Sequence, residues 1–110
     1  MQTNSLTNYL NEMHTIIVKE FSPEKIYIFG SFARGEATED SDLDLLLEFK
    51  EIQNKRGLII QIRKALANIP CPKDILVATP KEMESYKDKN WSIYSQAIKE
   101  GKIIYERKIA

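Results

Sequence analysis

Two aspartates two residues apart, Asp42 and Asp44, open an apolar run that reaches Phe49. Side chains alternate along a strand, so both carboxylates are expected on one face, with Cα atoms roughly 6.5–7 Å apart. Two such charges repel by roughly 3 kcal/mol at 6 Å and an effective dielectric near 20. A chain that keeps them together without a basic partner calls for a cation. Hard oxygen ligands suit Mg²⁺ or Mn²⁺. Just upstream, the apolar run Lys25 to Phe29 ends in Gly30-Ser31, followed by Phe32-Ala33-Arg34-Gly35. Gly30 has no Cβ, so its backbone can approach a phosphate closely. The Ser31 hydroxyl and the N–H groups after it can donate to phosphate oxygens if residues 32–35 begin a helical turn. Arg34 can neutralise a leaving pyrophosphate.

A third acid, Asp74, lies in the run Lys73 to Val77. It could complete the metal site and accept the proton of an attacking hydroxyl. The parts fit one reaction, transfer of a nucleotidyl group. There, two metal ions roughly 3.5–4 Å apart can clamp the attacking and leaving oxygens of an in-line displacement. Taken singly the pieces are common: Asp-x-Asp arises by chance, and Gly-Ser after a strand is an ordinary turn. The ordered set is far more specific.

The elements that must position these residues follow from periodicity. Leu6, Tyr9, Leu10, Met13, Ile16, Ile17 and Phe21 recur at helical steps and predict a helix over 5–21. Ser5 or Asn4 would cap it, and Ser22-Pro23 would stop it. His14 reads as a boundary side chain on that helix. Lys25 to Phe29 is apolar on both faces, the pattern of a central strand covered on both sides. Residues 36–41 form a polar, acidic loop in which Asp40 reads as a solvated neighbour. A helix is expected over 57–68, broken by Pro70-Cys71-Pro72, and then a strand over 73–77. Thr79-Pro80-Lys81-Glu82 is a capping box with proline at the first helical position. A last helix is expected over 91–100 with Trp91, Tyr94, Ala97 and Ile98 on one side, facing the core or a partner. Gly101 sits where a left-handed residue is favoured. Residues 102–106 can form a fourth strand, and the tail from Arg107 to Ala110 is expected to fray. The fold class is α/β (α+β): a two-layer sandwich with a mixed sheet of three or four strands.

Composition narrows the class. The chain has 110 residues, which predicts a single domain over 1–110. Sixteen basic residues balance sixteen acidic ones, so no global field draws nucleic acid, and none is expected to bind directly. The single cysteine, Cys71, cannot form an internal disulfide, which fits a reducing compartment. No apolar run is long enough to span a membrane, and Met1 to Leu6 lacks the form of a secretory signal. A cytoplasmic protein is expected.

Gly30-Ser31-Phe32-Ala33-Arg34-Gly35 followed by Ser41-Asp42-Leu43-Asp44-Leu45 resembles the minimal nucleotidyltransferase family of the DNA polymerase beta-like superfamily. The resemblance extends through Asp74 to the stretch Trp91…Tyr94…Ala97…Glu100-Gly101. It implies a nucleotidyltransferase fold, with Gly30 and Ser31 as the phosphate-binding pair. Asp42, Asp44 and Asp74 would be the metal ligands and catalytic acids. It also implies ATP as substrate and one or two Mg²⁺ ions, or Mn²⁺. Larger members carry an extra acceptor-binding domain, for which this sequence offers no counterpart. Members of this size are commonly paired with a small helical HEPN-domain protein that resembles an RNase toxin. The implied function is then an antitoxin that moves AMP from ATP to a tyrosine of the toxin, within a hetero-oligomer. Two other readings stay open: a non-catalytic antitoxin acting by complex formation, and a transferase for small molecules of the aminoglycoside type.

Overall fold

The sheet is built outward from β1 (Lys25–Phe29). It lies between β2 (Leu43–Glu48) and β4 (Lys102–Glu106), with β3 (Lys73–Ala78) beyond β2, in the order β3-β2-β1-β4. β1 runs antiparallel to both neighbours, and β2 is parallel to β3. The mixed sheet of three or four strands expected from the sequence is therefore present, with four strands. This is a computed structural model that describes residues 3–108, with side chains from Ser5 onward.

Alternation splits the strand residues between two clusters. Ile26, Ile28, Leu43, Leu45, Leu47, Ile75 and Val77 face α1 (Thr3–Phe21) and α3 (Lys55–Ala65). From those helices come Leu6, Leu10, Met13, Ile17 and Ile62, joined by Leu66 just past the end of α3, all buried. On the opposite face Phe29, Leu46 and Ala78 meet Met83 of α4 (Pro80–Tyr86) and Ala97 of α5 (Ile93–Glu100). β1 is thus central and covered on both sides, as its two apolar faces predict. No helix among the described residues is long and apolar enough to cross a membrane.

Several boundaries move for local reasons. α1 begins at Thr3, so Ser5 lies inside the helix and does not cap it. The Asn4 side chain, Met1, Gln2 and the last two residues lie outside the described ones. Ser22 takes a left-handed backbone (φ 51°), the way out left open by Pro23, which disfavours helical geometry before it. α3 starts at Lys55, two residues before Gly57, because the Asn54 side chain caps it by accepting from the Gly57 N–H at 2.9 Å. α5 starts at Ile93, capped by Ser92, which leaves Trp91 in the preceding turn and 82% exposed. Trp91 is therefore not core. Gly101 has an ordinary φ of −69°, not the left-handed one expected. Its lack of a side chain serves packing: a Cβ there would run into the Ala97 carbonyl as α5 turns sharply into β4. Arg107 does not fray, because its N–H donates to the Glu24 carbonyl at 2.8 Å.

The capping box at α4 is complete. Thr79 Oγ1 accepts from the Glu82 N–H at 3.2 Å, and Glu82 Oε1 accepts from the Thr79 N–H at 3.0 Å. Lys55 Nζ also donates to Glu82 Oε2 at 2.9 Å, which joins α3 to α4. Thr79→Ala should lower stability by about 1 kcal/mol. Urea unfolding with an unchanged m-value would measure it, and an unshifted midpoint would remove the cap from the account.

Candidate active site

The site lies where β1 ends and β2 and β3 begin. After Phe29 the chain turns at Gly30 with φ +74° and winds one helical turn, α2 (Gly30–Ala33). The Arg34 N–H closes that turn on the Gly30 carbonyl at 3.1 Å. The N–H groups of Ser31, Phe32 and Ala33 precede this first helical bond and face outward from the turn's start. The loop that follows is tied by its own polar groups. Ser41 Oγ accepts from the Thr38 N–H at 2.8 Å, and the Ser41 N–H donates to the Thr38 carbonyl at 3.0 Å. Asp40 is exposed there, as expected.

Register places the acids. Asp44 pairs with Phe29 across the antiparallel ladder and with Asp74 across the parallel one. Asp42 sits one residue before β2 begins and is exposed. The Leu43 N–H donates to the Pro72 carbonyl at 3.0 Å, which fixes the start of β2 against the start of β3. Gly30 is required by this arrangement. A Cβ at residue 30 would collide with the Asp44 carboxylate.

Electrostatics single out Asp44. Its carboxyl is pushed up to about 6 by burial first, then by the charges of Asp74 and Asp42. Asp74 also shares a hydrogen bond with it, and only the Arg34 charge acts to lower it. What holds these like charges together is the strand behind them. Leu43, Leu45, Leu46 and Leu47 are all 0% exposed. At roughly 1.5–3 kcal/mol each, their burial outweighs a repulsion of about 3 kcal/mol.

Among the described residues, no group of three or more His, Cys, Asp or Glu side chains stands in an arrangement that could hold a metal ion. The donor set is nonetheless all hard oxygen with surplus negative charge around Asp44, which suits a hard divalent cation. Of the six residues singled out from the sequence, Gly30, Asp44 and Asp74 are brought into direct apposition. Asp42 and Arg34 act on Asp44 through their charges, and Ser31 stands half-buried in the adjoining turn.

Three side chains at the site were not anticipated. Arg34 Nε donates to Glu36 Oε1 at 2.9 Å, and Arg34 Nη1 donates to Glu100 Oε1 at 3.1 Å. Arg63 Nη2 lies 3.9 Å from Asp74 Oδ1. Glu36 could have been suspected from its place two residues after Arg34. Glu100 lies 66 residues away at the end of α5, and no local signal pairs it with Arg34.

A fold and a carboxylate site of this kind define a nucleotidyltransferase, and residues 11–110 match the family model described as Polymerase beta, Nucleotidyltransferase. The chain belongs to that family. Protein adenylyltransferase MntA of Thermococcus cleftensis is 53% identical over 34 residues, 31% of this chain and 34% of that protein. A Methanocaldococcus jannaschii protein bearing a provisional protein adenylyltransferase name is 42% identical over 52 residues, 46% of this chain and 52% of that protein. The chain thus spans about half, or less, of the length of these two relatives. A second M. jannaschii protein with the same provisional name is 31% identical over 87 residues, 74% of this chain and 78% of its own. Among solved structures, a chain of a mutant toxin–antitoxin MntA-HpeT complex superposes with a TM-score of 0.61 at 16% identity, over 90% of this chain and 73% of that one. At that identity the likeness is one of fold.

Proposed function

We propose that this protein is a divalent-metal-dependent protein adenylyltransferase. It would act as the antitoxin of a cytoplasmic toxin–antitoxin pair, moving AMP from ATP to a tyrosine of a HEPN-type toxin. The observation that carries the reading is Asp44, packed on Gly30, paired with Asp74 and pressed by Asp42. The adenylyltransferase names of the relatives support the reaction. The toxin–antitoxin complex among the fold neighbours supports the kind of acceptor.

Asp42 and Asp44 would hold the cation, with Asp74 completing the set. A bound Mg²⁺ or Mn²⁺ would neutralise phosphate charge there. Gly30 admits the polyphosphate to the backbone, and Ser31 with the N–H groups of the turn donates to its oxygens. Asp74, 62% exposed at the mouth of the site, takes the proton of the attacking tyrosine hydroxyl. The tyrosine oxygen bonds to the α-phosphorus, the bond to the β-phosphate oxygen breaks, and pyrophosphate leaves.

The test is to incubate the protein with Mg²⁺, α-labelled ATP and the product of the neighbouring gene, followed by intact mass and peptide mapping. A gain of one or more AMP units on a partner tyrosine is expected. A second reading, neutralisation by binding alone, draws on Trp91 and Ile93, which are 82% and 50% exposed at the start of α5. A tight complex without label, and undiminished neutralisation by a protein carrying Asp42→Asn and Asp44→Asn, would favour that reading.

A further inference from the structure

We propose that Glu100 is a positioning residue that holds the Arg34 guanidinium at the phosphate-binding edge of the site. The inference rests on the nucleotidyltransferase reading above and adds to it the residue that aims Arg34.

Three observations carry it. First, Arg34 is held from two directions, by Glu36 on its own loop at 2.9 Å and by Glu100 at the end of α5 at 3.1 Å. Its side chain is 45% exposed, and a solvated arginine with no such clamp would sample many rotamers. Second, the two carboxylates use Nε and Nη1. Guanidinium offers five N–H groups in a rigid fork. Among the described residues none accepts a hydrogen bond from Nη2, so an anion can be bound there without breaking either clamp. Arg34 is also near enough to Asp44 for its charge to oppose the upward shift of that carboxyl.

Third, Glu100 is placed against the usual electrostatic preference. It is the last residue of α5, where unpaired carbonyls make a carboxylate unfavourable. Gly101 then allows the tight turn from that residue into β4, since a Cβ there would collide with the Ala97 carbonyl. The turn anchors Glu100 beside the β1 end of the sheet, because Lys102 pairs with Ile28. An acid at that helix end is offset by the Arg34 charge, and the tight turn keeps the two in reach.

The experiment is a double-substitution cycle on the full chain: Glu100→Gln, Arg34→Ala and both together. Binding of a non-hydrolysable ATP analogue with Mg²⁺ is read by titration, and AMP transfer by steady-state kinetics. Thermal melting is followed for every variant. Glu100→Gln keeps the shape of the side chain and removes its charge. It is expected to weaken nucleotide binding about 5- to 20-fold in the parent background and by less than 2-fold in the Arg34→Ala background. The melting temperature should stay within a few degrees. Equal losses in both backgrounds would overturn the proposal, because Glu100 would then act independently of Arg34. Parent-like binding by Glu100→Gln would overturn it as well. Glu100→Asp gives a second check: its shorter reach should recover only part of the loss, while a purely electrostatic role predicts full recovery. A parent protein that binds no nucleotide would sink this proposal together with the functional reading. A parent that binds while Glu100→Gln changes nothing sinks this proposal alone.

Discussion

Asp44→Asn is expected to lower AMP transfer by roughly 10³-fold or more while making the metal-free protein more stable at pH 8. The first effect follows from removing the anchor of the carboxylate set, worth several kcal/mol of charge stabilisation in the transition state. The second follows from the state of that carboxyl without metal. Its folded value of about 6 lies above the ordinary 3.8, so the folded protein holds the proton more tightly than the unfolded chain does. Stability from this group is fully present below about pH 4 and is lost as pH rises through 6. At face value two units are about 3 kcal/mol, which solvent at this half-buried site reduces to about 1–2 kcal/mol. Asparagine carries no charge and escapes the penalty at every pH. Thermal melts of parent and variant from pH 4 to 8 in EDTA should therefore converge at low pH and separate above 6, with the variant higher. Adding Mg²⁺ should raise the melting temperature of the parent and leave the variant nearly unmoved. A variant less stable than the parent at pH 8 would show that Asp44 is not under electrostatic stress.

Gly30→Ala should cost far more activity than a single added methyl ordinarily does. The backbone at residue 30 is left-handed, which costs a non-glycine residue about 1–2 kcal/mol. The added Cβ would also occupy the space of the Asp44 carboxylate. That side chain must swing away or β1 must separate from β2, so transfer should fall at least as far as in Asp44→Asn. Gly35→Ala is the matched control. Gly35 has the same φ of +74° and open space where its Cβ would stand. It should lose the backbone term alone and keep most of its activity. Equal losses of activity at both positions would mean that backbone strain, and not the fit against Asp44, explains Gly30.

The placement of the carboxylates was legible because it is written in short segments. A strand ending in Gly30-Ser31 and a second strand opening at Asp42-x-Asp44 are each set by alternation and by one conformationally free residue. Asp74 was readable for the same reason: it lies at the second residue of an apolar strand, and parallel pairing puts it beside Asp44. What escaped the sequence depends on distant segments meeting. Trp91 looked like the first residue of an amphipathic face, but Ser92 caps the helix one residue later and leaves the indole in a turn. Gly101 looked like a left-handed terminus, but its requirement is set by the Ala97 carbonyl across the turn. The ion pair from Arg34 to Glu100 joins residues 66 apart, and no local signal pairs them.

The pairing of β4 with β1 bears on the order in which the molecule is made. β1 can pair with β2 once residues up to 48 exist, and the parallel β3 can join by residue 78. The other edge of β1 waits for residues 102–106, and the second clamp on Arg34 waits for residue 100. Contacts between segments so far apart in sequence are the slow ones to form. The pairing that sets the three acids side by side can therefore form before the Glu100 clamp on Arg34 does. The last strand thus completes the edge of the sheet that the first strand begins.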